Sequence, residues 1–259
     1  MKQSHSLGQV FLTDKNYVRK IINSLDINNA AVLEIGSGPG EISAQIVEKC
    51  KFLYCVELDP RFITVLETKF RNKDNVKIMH YDILKFPVSK LGSKVVVFGN
   101  VPYQISNSLI DYFVENRSAI KKAYLTFQKE FVDKLIAKPG SKDYGFLSCY
   151  VQYYAGIKKF FDIPKGAFTP IPKVNSSFMA LEFYDEPPEK AQDENLLFTV
   201  IREAFSQRRK KIANSLAKFI AAEDLFSYLG INPDLRAENI SLRQYVSVAN
   251  RIFRNKSQK

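Results

Sequence analysis

A chain of 259 residues, 46% hydrophobic and 25% charged, has the composition of a globular protein with one large and one small domain. No run approaches the roughly 20 apolar residues that a membrane helix needs. Residues 1–6 lack the apolar core of a signal peptide, so a cytoplasmic protein is predicted. Cys50, Cys55 and Cys149 have no metal-ligand spacing, and His5 and His80 are the only histidines. That argues against a bound metal and against Ser-His-Asp chemistry, and it predicts buried, reduced thiols. The net charge of +11 and a pI near 9.4 point to a polyanionic partner, nucleic acid ahead of an anionic membrane. The plainer alternative is a generically basic surface.

In chain order, an apolar arm ends in Gln9-Val10-Phe11-Leu12, and Thr13-Asp14 caps an amphipathic helix from Lys15 to Leu25. The stretch 30–35 (AAVLEI) reads as a buried strand running into Gly36-Ser37-Gly38-Pro39-Gly40 and a helix over Glu41–Lys49. Strand, glycine turn and helix open a nucleotide-binding βαβ unit, the glycines admitting close approach of the backbone to a ligand. A second strand over 52–56 ends in Glu57, about 20 positions after the glycines, where a carboxylate can bond the two hydroxyls of a ribose. The turn is G-x-G-x-G rather than G-x-G-x-x-G, has no basic neighbour in sequence, and carries Glu41 where a pyrophosphate would sit. It suits a nucleoside without phosphates, and S-adenosylmethionine fits that description.

Pro60 starts the next helix, and a strand over 76–79 leads to Asp82, which either caps a loop or accepts from an adenine amine. The apolar run 95–98 ends in Gly99-Asn100-Val101-Pro102-Tyr103-Gln104-Ile105-Ser106. Asn100 and a carbonyl beside Pro102 can both accept from one planar –NH2 group, and the Tyr103 ring can stack on the plane that carries it. An ordinary strand-to-helix turn is the other reading. Helices follow to Glu115 and over 128–137, with a strand over 123–127 between them. The polar loop 138–145 reads as a mobile surface loop or an RNA backbone contact. A helix over 147–155 and strands over 157–163 and 178–184 complete the domain. Between those strands, Phe168-Thr169-Pro170-Ile171-Pro172-Lys173-Val174-Asn175-Ser176 is held extended by its prolines, which can present Phe168 as a second wall against a flipped base, or simply packs on the sheet edge.

Glu186-Pro187-Pro188-Glu189 marks a boundary. Residues 189–259 read as all-helical and hold 13 Lys and Arg against 8 Asp and Glu, about +5. Arg208, Arg209, Lys210 and Lys211 form the densest basic cluster. On a helix they would wrap its circumference and contact phosphates.

These motifs occur in the order of one family. With Leu7-Gly8 ahead of Gln9, with Ala204-Phe205-Ser206-Gln207-Arg208-Arg209-Lys210, and with Leu235-Arg236-Ala237-Glu238-Asn239-Ile240-Ser241, the chain over about 7–250 resembles the ribosomal RNA adenine N6,N6-dimethyltransferases of the small-subunit, KsgA type. Val10 and Gln104 each stand where that family usually has Asn. The resemblance implies an α/β, Rossmann-like class I S-adenosylmethionine methyltransferase domain over 1–185 and a small helical, basic RNA-binding domain over 189–259. It implies that Val10, Leu12, Gly36, Gly38, Glu57, Asp82 and Asn100 hold the cofactor S-adenosylmethionine, and that Asn100, Pro102, Tyr103 and Phe168 serve catalysis. The implied reaction is dimethylation of two adjacent adenosines of small-subunit ribosomal RNA, with a monomer acting on a ribosomal particle and with neither metal nor membrane. Rival readings are a large-subunit RNA methyltransferase, a protein-glutamine methyltransferase, a DNA adenine methyltransferase and a non-catalytic assembly factor.

Overall fold

The computed structural model describes residues 9–257, leaving His5 and the Leu7-Gly8 of the first motif outside the described residues. The chain divides into two compact units, one holding the residues up to Val132 together with Ile157–Phe183, the other Asp133–Gly156 with the residues from Tyr184 onward. The return to the second unit at Tyr184 lies just before the Pro-Pro boundary. The segment 133–156, read from sequence as part of the first domain, belongs to the second unit instead.

Nine strands occur along the described chain. Two are short, β1 (Phe11–Leu12) and β8 (Phe168–Thr169). The others are β2 (Ala31–Ile35), β3 (Phe52–Glu57), β4 (Val76–His80), β5 (Val95–Asn100), β6 (Ile120–Gln128), β7 (Ala155–Ile163) and β9 (Ser176–Phe183). These seven form one sheet in the order β4-β3-β2-β5-β6-β9-β7. The first five in spatial order, β4 to β6, run parallel, and β9 joins β6 antiparallel. Parallel strands covered on both faces need continuous apolar runs, and Val95, Val96, Val97 and Phe98 are all buried. Chain order reverses between β2 and β5, which makes a crevice at their carboxyl ends, where ligands bind in open α/β sheets.

The short strands β1 and β8 form a separate antiparallel ribbon, Phe11 opposite Thr169 and Leu12 opposite Phe168. Helix α1 (Lys15–Ser24) follows β1. The Asp14 carboxylate caps it by accepting from the Asn16 and Tyr17 N–H groups, and Val18, Ile21 and Ile22 face the core.

The helix expected over Glu41–Lys49 is regular only as α2 (Ser43–Ile46). Gly36, Gly38 and Gly40 all have positive φ, so helical geometry cannot begin until the chain has left the turn. Helix α3 (Pro60–Lys69) has Pro60 in its first turn, as the sequence predicts, and the structure adds a cap from the Asp59 side chain. Helices α4 (Ser106–Glu115) and α5 (Lys129–Leu135) flank β6 in the chain.

The second unit is helical: α6 (Phe146–Tyr154), α7 (Glu194–Ser206), α8 (Ile212–Leu216), α9 (Ala222–Leu229) and α10 (Leu242–Ser257). Phe198 of α7 packs its ring against Phe146, Tyr150, Tyr153 and Tyr154, which explains why α6 belongs here rather than with the sheet. The loop 138–145 is tied in as well. Gly140 N–H donates to the Glu238 carbonyl, and the Tyr144 side chain has no exposed surface.

Candidate active site

Each glycine of the 36–40 turn has its own physical reason. A Cβ on Gly36 would meet nothing within 4 Å, so that position borders open space, with φ +67. At Gly38 a Cβ would lie 2.9 Å from Cε1 of Phe11, and at Gly40 it would lie 2.8 Å from Cδ2 of Leu66. The first glycine opens a cavity, the second lets β1 close over it, and the third lets α3 pack.

That cavity has a volume of about 330 Å³, within the range of small-molecule sites. The carboxyl ends of β2, β3 and β5 supply Gly36, Glu57 and Asn100 to its lining, the segment after β4 supplies Asp82, and Gln9, Val10 and Phe11 close it. Of the predicted cofactor residues it brings together Val10, Gly36, Gly38, Glu57, Asp82 and Asn100. Leu12 is not among them. Alternation along β1 turns its buried side chain away, into the core and toward a second cavity of about 660 Å³. The second cavity shares Phe11, Gly36 and Asn100 with the first and carries Lys15, Arg19 and Glu34.

The Glu57 carboxylate accepts from Gly38 N–H through Oε2 and from the Leu58 and Asp59 N–H groups through Oε1, each at 2.8 Å. A carboxylate has about four acceptor sites, so Glu57 keeps room for one hydroxyl rather than the two expected from sequence. Asp82 has the first of its two predicted uses. Its Oδ1 caps the following turn by accepting from Leu84 N–H, while Oδ2 has no partner among the described residues. Two large apolar side chains unnoticed in the sequence, Leu58 and Tyr81, line the cavity at 48% and 43% exposure. Each adjoins an acid in the chain, the one signal that could have found them.

Asn100 lies at the end of β5, and its Nδ2 donates to the Val10 carbonyl at 3.1 Å. A carbonyl only accepts, so this bond sets which way the amide points and leaves Oδ1 as a free acceptor. The Val101 carbonyl next in the chain also has no partner among the described residues, and Pro102 has no N–H to donate. Pro102 and Gln104 line the cavity, whereas Tyr103 does not. The half-buried Tyr103 sends its hydroxyl to Ser176 instead.

Phe168 corrects an expectation. It is 1% exposed, in the core cluster with Leu12, Ala167 and Phe178, because β8 pairs with β1 in the register that turns it inward. It offers no face to a base. Its neighbour Thr169 is the residue that lines the second cavity.

Buried electrostatics gather behind the turn. Glu34, 3% exposed, accepts from the Ser37 hydroxyl at 2.8 Å, and burial pushes its carboxyl above the usual carboxylate range. Hydrogen bonds from Arg61 hold Asp59 well below that range, and Gln9 Nε2 donates to the same carboxylate, fastening β1 beside the end of β3. The glycine turn does have a basic neighbour, supplied by the fold: Lys69 Nζ donates to the Pro39 carbonyl and pairs with Glu41 at 2.6 Å. All three cysteines are free and buried. No group of three metal-binding side chains occurs among the described residues.

The basic cluster of the second unit is also corrected. Helix α7 ends at Ser206, so Arg208, Arg209 and Lys210 lie on turns and Lys211 on an isolated bridge. Arg208 pairs with Glu238 at 2.6 Å and donates to the Lys142 carbonyl, holding the loop 138–145 in place. Lys211 pairs with Asp234. The side chains of Arg209 and Lys210 are exposed and have no partner among the described residues.

Comparison with known proteins decides the family, since the model for ribosomal RNA adenine dimethylase matches residues 1–254. The chain belongs to the ribosomal RNA adenine dimethylase family. Ribosomal RNA small subunit methyltransferase A of Wigglesworthia glossinidia brevipalpis is 36% identical over 257 residues, covering 97% of this chain and 98% of the relative. The protein of the same name in Aromatoleum aromaticum is 38% identical over 246 residues, covering 95% and 92%. Among solved structures, a dimethyladenosine transferase from Plasmodium falciparum superposes with TM-score 0.82 at 23% identity, covering 95% of this chain and 98% of that one. The 23S rRNA methyltransferase ErmE superposes with TM-score 0.75 at 21% identity, covering 94% and 99%. These two likenesses establish the Rossmann-like fold that this chain shares with them.

Proposed function

We propose that this chain transfers methyl groups from S-adenosylmethionine to N6 of adenines in small-subunit ribosomal RNA, twice at each target. The observation that carries the reading is the oriented amide of Asn100, with Oδ1 left free beside the unpartnered Val101 carbonyl. Asn100 lines the cavity, Val101 follows it in the chain, and the two acceptors match in number the two N–H bonds of one exocyclic amine.

The residues fit the cofactor. Gly36 leaves open space where a side chain would intrude, Glu57 retains one acceptor site for a ribose hydroxyl, and Asp82 Oδ2 can accept from the cofactor's own adenine amine. Leu58 and Tyr81 would cover the faces of that ring. The cofactor, when bound, supplies a methyl group on a cationic sulfonium, and the acids around this crevice favour a cation.

The N6 lone pair is conjugated with the adenine ring and is a weak nucleophile. Asn100 Oδ1 and the Val101 carbonyl, accepting from N6–H, favour a pyramidal nitrogen and so bind the transition state better than the ground state. With the proton leaving after the methyl group has arrived, no strong base is required. Tyr103 stacks on the extruded base, a contact typically of about 1–3 kcal/mol. Phe168 takes no part in that stack.

In the second unit, Arg209 and Lys210 contact RNA phosphates, while Arg208 and Lys211 hold the fold. The substrate is a small-subunit particle, on which a monomer acts in the cytoplasm. No described helix is long and apolar enough to cross a membrane. The test is transfer of labelled methyl groups to unmethylated small-subunit particles, large-subunit RNA and duplex DNA, by wild type and Asn100→Ala. Dimethyladenine in the small-subunit particle alone, lost in the variant, is the expected result. Particle binding without any transfer would replace this reading with that of an assembly factor.

A further inference from the structure

Ser176 is the first residue of β9, has no exposed surface and pairs with Gln128 of β6. Its surroundings leave it little freedom. The Asn175 side-chain oxygen accepts from Lys165 N–H at 3.0 Å, and the Asn175 carbonyl accepts from Lys129 N–H at 2.9 Å. The Ser176 hydroxyl meets the Tyr103 hydroxyl at 2.7 Å across 73 residues of chain.

Tyr103 is held at its other end too, since its carbonyl accepts from both the N–H and the hydroxyl of Ser106. A tyrosine ring tied at its backbone and at its phenol oxygen keeps one χ1 and one χ2. Burial raises the phenol's pKa, so the group stays protonated and able to bond. Stacking on a base uses only the ring, and a phenylalanine would stack equally well. The hydroxyl therefore serves position rather than stacking.

We propose that Ser176 is a positioning residue for methyl transfer, its hydroxyl presetting the plane of the Tyr103 ring so that an arriving adenine presents N6 to Asn100. This rests on the reading of Tyr103 as the stacking surface. A preset ring spares the ordering that would otherwise accompany each encounter. Ser176 neither touches the base nor contacts the cofactor cavity. Its loss is therefore felt in the methyl-transfer step and not in cofactor affinity.

The experiment compares Ser176→Ala, Tyr103→Phe, their double variant and Tyr103→Ala in steady-state methyl transfer to small-subunit particles. Cofactor affinity is measured in parallel by titration calorimetry. Ser176→Ala and Tyr103→Phe are each expected to lower kcat/KM about tenfold, the size of one neutral hydrogen bond. Most of the loss falls in kcat, with cofactor Kd unchanged. The double variant should be no worse than either single one, because both remove the same bond. Full activity in Ser176→Ala, or a double variant whose losses multiply, overturns the proposal. So does a matching loss of cofactor affinity, which marks a merely structural role. Should Ser176→Ala not fold, Tyr103→Phe carries the test alone, and wild-type activity there overturns it. Tyr103→Ala separates the two layers: if it remains active, the stacking reading itself fails. If it is inactive while Ser176→Ala and Tyr103→Phe are normal, only the positioning role fails.

Discussion

Replacing Gly38 by alanine tests how closely β1 must approach the glycine turn. The residue has φ +52, and its added Cβ would lie 2.9 Å from the Phe11 ring. Left-handed backbone costs a non-glycine residue about 1–2 kcal/mol, and the close approach adds an overpacking cost of about 1–3 kcal/mol. The Phe11 ring rests edge-on against Phe62, centroids 5.7 Å apart, and can yield only toward the cavities it lines. The overpacking cost thus falls at the low end, for a total of about 2–3 kcal/mol. At about 2–4 °C per kcal/mol for a chain of this size, Tm should fall by about 4–12 °C. The displaced ring should also weaken S-adenosylmethionine binding about tenfold, since it lines the cavity.

Gly36→Ala is the control, with a similar φ but no atom within 4 Å of its Cβ. It should lose about 1–2 kcal/mol, the backbone cost alone. Calorimetry of both variants, with and without cofactor, separates the two effects. Adding Phe11→Leu should recover part of the Gly38→Ala loss, a coupling that distant sites do not show. If Gly38→Ala melts with Gly36→Ala and the added Phe11→Leu recovers nothing, the close approach of β1 does not constrain this turn and the reasoning is wrong.

Asn100→Ala should lower methyl transfer by about 10²–10³-fold, as expected for removal of a transition-state hydrogen bond. Cofactor affinity, read by calorimetry, should change far less. Asp82→Asn should weaken cofactor binding about tenfold, since an amide cannot reproduce a free carboxylate oxygen facing an amine. Glu34 predicts a pH dependence. Its folded pKa is raised, so above the ordinary glutamate value of 4.5 the native state binds more protons than the unfolded one. Stability should therefore fall as pH rises through the interval up to the folded pKa. Glu34→Gln should flatten that slope in melting curves taken at increasing pH above the ordinary glutamate value of 4.5. Arg209→Ala with Lys210→Ala should reduce the salt dependence of RNA binding without moving Tm, the slope falling by about 0.7–0.9 for each phosphate no longer neutralised. Arg208→Ala should do the reverse, because its guanidinium bonds Glu238 and the Lys142 carbonyl.

Much of this protein is local, and what is local could be read in advance. The Asp14 cap of α1, Pro60 in the first turn of α3, the apolar strands and the acid some 20 residues beyond the glycines are set by side chains acting on their own backbone or by periodicity. Ordered motifs placed the chain in its family, and six of the seven residues they nominated for the cofactor line one cavity. Everything that depends on which segments meet was decided by tertiary structure. Phe168 reads as an exposed wall until the register of β8 with β1 buries it. Arg208 reads as a phosphate ligand until Glu238, 30 residues on, neutralises it. The loop 138–145 reads as mobile until Tyr144 is found in the second unit's core. Lys69 and Pro39, like Tyr103 and Ser176, meet only because segments far apart in sequence are brought together around the sheet. Charge and aromaticity are properties of a residue, but whether a charge stays free or a ring keeps an open face depends on neighbours that only the folded chain supplies.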